Sequence, residues 1–142
     1  MKEEQPIATM EQLQKLGQTQ NSAYFMRPDG LILATTVNST PLTKTVILEN
    51  FELIKQISTD LGQPIKILAE SEQLQRLSRC ARDYMRTEEA QKYDQYVIGT
   101  AMLTQNQLAK MLANFIMGLR KQARPMKIFT NKADALVWLK SL

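Results

Sequence analysis

The last third of the chain, from Tyr96 to Leu142, restricts the fold more than any other stretch. Two periodicities alternate in it. Tyr96 to Leu103 is a short apolar run that opens with the β-branched pair Val97 and Ile98, bounded by Asp94 before and Thr104-Gln105-Asn106 after. That length and those flanks suit a buried strand. Leu108, Met111, Leu112, Phe115, Ile116 and Leu119 then keep the spacing of one helical face, with Gln107, Lys110, Asn114 and Lys121 on the other side. Arg120, Lys121 and Arg124 crowd the end of this segment, where the helix dipole favours cations. Pro125 stops the helix, and Met126, Ile128 and Phe129 make a short strand. Asn131 is a candidate N-cap for a final helix with Ala135, Trp138, Leu139 and Leu142 on its buried side. Trp138 is expected to lie largely buried against the sheet. Strands that alternate with helices in this way call for parallel pairing through crossovers.

Upstream, Ser22 to Met26 and Leu31 to Val37 are β-leaning runs separated by Arg27-Pro28-Asp29-Gly30. Proline pre-sets φ and glycine permits positive φ, so this stretch reads as the turn of a β-hairpin. From about Thr45 to Leu61 the pattern is helical, and Gly62 supplies the stop. Pro64 to Ala69 is a further strand. The next helix has two readings. Leu74, Leu77, Ala81, Tyr84 and Met85 allow a start near Ser71, whereas Ser78 is an alternative cap; in either case the helix ends near Tyr93. Residues 1–21 are polar and glutamine-rich, with Met10, Leu13 and Leu16 hinting at one or two helical turns that Gly17 would end. They read as an N-terminal extension, either frayed or laid as an arm on the domain or on a neighbouring chain. Residues 22–142 form a single domain.

Several stretches resemble a known group. Ala113-Asn114-Phe115, the run PMKIFT at 125–130 and ALVWLK at 135–140 look like the C-terminal half of small bacterial STAS-like domains, relatives of anti-sigma-factor antagonists. Ser78-Arg79-Cys80-Ala81-Arg82, opening the run to Tyr93, resembles the Ser-x-x-Ala-Arg helix of that group. The resemblance covers roughly Ser22 to Leu142. It implies an α/β STAS-like fold: a mixed, about five-stranded sheet with an N-terminal hairpin and about four helices packed on it. It also favours a loop from Glu70 to Leu77 and a helix capped by Ser78. Most of the matching residues are packing residues, so they speak to fold rather than activity. Anti-sigma-factor antagonists are switched by phosphorylation of a serine at the start of the helix after the central strand, and Ser78 stands at about that place. Those regulators have an Asp-Ser-Ser-Gly-like sequence where this chain has Leu77-Ser78-Arg79-Cys80, so the preceding acid and the following glycine are missing. Its other reading is a plain helix cap.

Composition bounds the chemistry. The 142 residues suffice for one domain with a core. Histidine is absent, which removes the commonest general base, metal ligand and pH switch together. The single cysteine, Cys80, cannot form an internal disulfide, so a reducing cytoplasm is the expected setting. With no base to serve it, Cys80 is expected to be a small apolar residue packed on the sheet. Glu88 and Glu89 are adjacent, and neighbouring helical residues point apart. No glycine-rich phosphate loop is present, and neither a cofactor nor a metal is expected. Met1 to Gln5 lacks the apolar core of a signal peptide, and no apolar run is long enough to span a bilayer.

The net charge of +4 is spread along the chain without interleaved aromatics, so no nucleic-acid partner is expected. Two features remain as a candidate partner or anion surface. One is Asn114, opposite the apolar stripe of its helix. The other is the basic cluster Arg120, Lys121, Arg124 and Lys127. The function read from this is a non-enzymatic regulatory or protein-binding module with a protein partner, forming a homodimer. The alternative is a carrier of a small apolar ligand or lipid, since eight methionines can line an adaptable pocket. An enzyme using carboxylates or the thiol is the third reading.

Overall fold

Leu13 and Leu16 are three residues apart, a spacing that suits a helix but also places two side chains on opposite faces of a strand. The computed structural model adopts the second arrangement. It describes residues 13–38, 40–70, 77–107, 110, 111, 114, 115, 118 and 125–142. Gln14–Gln18 is strand β1, which corrects the helical turns expected there. Leu13 packs towards one face of the sheet and Leu16 towards the other. The cause is tertiary: β1 finds a pairing partner in β2 (Ser22–Met26), and pairing outweighs weak local preference. Gly17 sits at an irregularity in this register, and a Cβ there would lie 2.9 Å from the Leu53 side chain. Met10 and the rest of residues 1–12 lie outside the described residues.

β2 and β3 (Ile32–Thr36) form the expected hairpin. Its turn is held by Gly30 at φ 87°, by the Gly30 N–H donating to the Arg27 carbonyl at 3.0 Å, and by an Arg27–Asp29 ion pair. The chain then adds α1 (Lys44–Leu61), β4 (Ile65–Glu70), α2 (Arg79–Met85), α3 (Glu88–Gln91), a 3₁₀ turn over Lys92–Tyr96, β5 (Val97–Leu103), β6 (Met126–Phe129) and α4 (Lys132–Lys140). The strand order is β1-β2-β3-β4-β5-β6, antiparallel through β3 and parallel from β3 to β6. The sheet is therefore mixed, as expected, with six strands rather than five.

Local signals fix the helix ends. The Thr43 hydroxyl accepts from the Val46 N–H at 3.2 Å, and Gly62 closes α1 at φ 74°. The Asn131 side chain accepts from the Asp134 N–H at 3.0 Å to cap α4. The single helix expected from Ser78 to Tyr93 is broken. Thr87 takes an extended conformation and caps α3 by accepting from Ala90 N–H, so the chain turns between Arg86 and Thr87.

Each parallel step moves the same way across the sheet, so right-handed crossovers put α1, α2 and α3 on one face. Ile32, Ile65 and Ile67 point to that face and pack on Ile57 of α1. Leu33, Leu68 and Ala101 point to the other and pack on Ala135 and Leu139 of α4. Neighbours such as Ile67 and Leu68 thus serve different layers, the two-residue alternation of a strand. A third cluster joins Val46 and Ile47 of α1 to Ala81, Tyr84 and Met85 of α2. Trp138 is half-buried and stacks on Phe129 with centroids 5.6 Å apart, so the fully buried anchors of α4 are Ala135 and Leu139 instead. Leu142 is exposed, with its side chain over Gly99, where a Cβ would collide with it.

Candidate functional site

The face carrying α1 holds a hollow. Its floor is set by register. Tyr24 pairs with Ala34, and Ala34 pairs with Ala69, giving one row across β2, β3 and β4. Ile67 pairs with Thr100 and Thr100 with Met126, giving the row beside it. Two alanines side by side leave the floor low where larger residues would fill it. Phe51 and Ile54 of α1 form one wall, and Tyr93 and Asp94 of the 3₁₀ turn another. The cavity has a volume of about 180 Å³ and opens to solvent.

The walls are fixed by polar contacts behind them. The Tyr24 hydroxyl donates to the Asn50 side-chain oxygen at 2.8 Å, and the Asn50 amide donates to Asn21 at 2.9 Å and to the Val46 carbonyl at 2.8 Å. The Thr19 hydroxyl completes this group, 3.0 Å from Asn21. Asn50 therefore ties α1 to the β1–β2 connection. Burial pushes the Tyr24 phenol well above its usual pKa. The Tyr93 ring packs on Phe51 at 5.1 Å, and its hydroxyl donates to the Glu52 carboxylate. That hydrogen bond, then desolvation, then the negative charge of Glu52 hold the Tyr93 phenol well above its ordinary value too. Both phenols stay neutral, with their protons committed to the protein.

The residues singled out in the sequence lie elsewhere. Ser78 is the N-cap of α2: its Oγ accepts from the Ala81 N–H at 3.0 Å, and its own N–H donates to the Leu42 carbonyl at 3.0 Å. Cys80 is exposed, not packed on the sheet. α2 turns Ala81, Tyr84 and Met85 inward, and a residue one step before Ala81 is rotated off that face. Helical backbone is present at Gln107, Lys110, Met111, Asn114, Phe115 and Gly118. Asn114 is exposed. Met111 and Phe115, expected in the buried stripe, are 60% and 45% exposed. Leu108, Leu112, Ile116 and Leu119 lie outside the described residues, as do residues 71–76. So do Arg120, Lys121 and Arg124, leaving Lys127 as the described member of the basic cluster. It is exposed, with Nζ 5.7 Å from the centroid of the Phe129 ring. Among the described residues no His, Cys, Asp or Glu group could hold a metal, and no helix is long and apolar enough to cross a membrane.

The sequence model of a family described as "Domain of unknown function (DUF7793)" matches residues 25–142. The chain belongs to the DUF7793 family. A solved structure similar to this DUF7793 chain is the crystal structure of an uncharacterized protein of the DUF3478 family with a SpoIIAA-like fold, from Shewanella loihica. It shares 21% identity, covers 89% of this chain and 91% of its own, and superposes with a TM-score of 0.52. At that identity the likeness shows the fold, and it bears out the STAS-like α/β architecture. No curated protein sequence matches the chain. The cavity of this DUF7793 chain was not legible beforehand. Its only local signal is the paired tyrosines around Asp94, in Lys92-Tyr93-Asp94-Gln95-Tyr96.

Proposed function

We propose that this STAS-like domain is a non-enzymatic, cytoplasmic regulatory module that works by binding a protein partner. One observation carries the reading: Met111 and Phe115, 60% and 45% exposed. They stand four residues apart on helical backbone, so they share one face and present a Phe ring and a thioether together. Aromatic residues and methionine are enriched at interface centres, where a few side chains carry most of the affinity. Asn114, next to Phe115, supplies an exposed polar group for the rim of such a surface, while Lys127 is an exposed cation on the face of β6 that carries α4. A second copy of the chain is one form the partner takes, giving a homodimer.

Ser78 is the regulatory position in this reading. As a cap it already accepts an N–H of the first turn of α2. A phosphate there would keep that role, because helix N-termini favour negative charge, while adding charge to the surface. The direct test is a Met111→Glu, Phe115→Glu double variant. It should fold like wild type and lose a partner that wild type retains; unchanged binding would remove the surface.

A further inference from the structure

The cavity over Ala34 and Ala69 is lined by residues other than Met111 and Phe115, and its dimensions restrict what enters it. We propose that it binds a small, neutral molecule built on a single aromatic ring. Volume sets the size. Engineered apolar cavities of about 150 Å³ take up benzene, and this one measures about 180 Å³. Drug-sized ligands fill roughly 300–1,000 Å³, so a long acyl chain does not fit. The walls set the shape. The Phe51 and Tyr93 rings lie 5.1 Å apart with planes inclined at 36°. A third ring entering beside them meets aromatic edges and faces in the offset geometries that rings favour. Ala34, Ala69 and Ile67 give it an apolar floor.

Charge sets the rest. Asp94 lines the cavity, and the Glu52 carboxylate lies directly behind the Tyr93 hydroxyl. No Lys or Arg is among the described residues that line the cavity, so the carboxylate of a benzoate or fatty acid finds no countercharge there, on grounds separate from size.

The experiment titrates the full chain with benzyl alcohol, toluene, benzoate and palmitate. It follows thermal unfolding and the backbone amide resonances. Millimolar benzyl alcohol or toluene should raise Tm by about 2–5 °C and shift the amides of Ala34, Ala69 and Thr100. Benzoate, which would have to leave water with no countercharge, should bind at least ~10-fold more weakly, the fold-change that about 1.4 kcal/mol produces. Ala69→Leu fills the floor and should abolish the shifts. Ala34→Leu, on the neighbouring strand, makes the same test if the first variant is unfolded. Absence of binding by both neutral rings overturns the proposal. Binding of palmitate in preference to them overturns the ligand class, and undiminished binding by a folded Ala69→Leu or Ala34→Leu overturns the site.

Discussion

The hydroxyl of Tyr24, in the second strand, donates to the side chain of Asn50, in the middle of α1, at 2.8 Å. Through Asn50 the bond continues to Asn21 and Val46, so one amide locks α1, β2 and the β1–β2 connection together. Asn50→Ala leaves Tyr24, Asn21 and Thr19 with partners missing, and should cost about 2–3 kcal/mol in urea unfolding. Tyr24→Phe removes one bond and should cost about 1 kcal/mol. The double variant should be less destabilised than the sum, because the second change removes a group the first had already orphaned. Full additivity would contradict the network.

The acid limb of the stability profile should carry Asp29. Burial raises its pKa, but hydrogen bonds from Arg27 and the Leu31 N–H, and the charges of Arg27 and Lys140, outweigh that and leave it below the ordinary 3.8. In the folded state Asp29 then binds fewer protons than in the unfolded chain. Its contribution is present above pH 3.8 and lost as pH falls from there through the folded value. Asp29→Asn should flatten this limb while leaving the alkaline limb unchanged. There the sign reverses. Burial raises the Tyr24 pKa, so its contribution is full below pH 10.0 and declines above it. Tyr24→Phe should flatten that limb.

On α4 the buried anchor is the smaller residue. Leu139 is 0% exposed, whereas Trp138 is half-buried against Phe129. Leu139→Ala should cost about 3–4 kcal/mol and Trp138→Ala about 2, read from denaturant midpoints. The reverse order would mean that the indole, not Leu139, seats the helix.

These contacts show which parts of the fold were legible in the sequence. Gly62, Asn131 and the Pro28-Asp29-Gly30 turn act on their own neighbours, and each ends or turns the chain where expected. Thr87 acts locally too, and Thr-Glu-Glu is a helix-start signal inside what reads as a continuous helix. β1 was hidden because Leu13 and Leu16 suit either periodicity and only pairing with β2 decides. The cavity was hidden for a deeper reason. Ala34 and Ala69 are 35 positions apart, and the hollow exists only because register sets them side by side.

At Ser78, cap and switch separate by substitution. Ser78→Ala should lose about 1 kcal/mol of stability, and Ser78→Asp should keep it, since aspartate also caps. If the serine is a regulatory position, the folded aspartate variant changes partner binding. Equal binding by wild type and Ser78→Asp leaves the cap alone.

The binding surface itself is tested most directly by affinity capture from the native cells, with quantitative mass spectrometry. Wild type, Met111→Glu with Phe115→Glu, and Asn114→Ala should first be shown to unfold at the same temperature. The account predicts a protein recovered in constant ratio with wild type, retained at reduced yield by Asn114→Ala and lost from the double variant. Recovery of the same proteins in the same amounts by all three would contradict it.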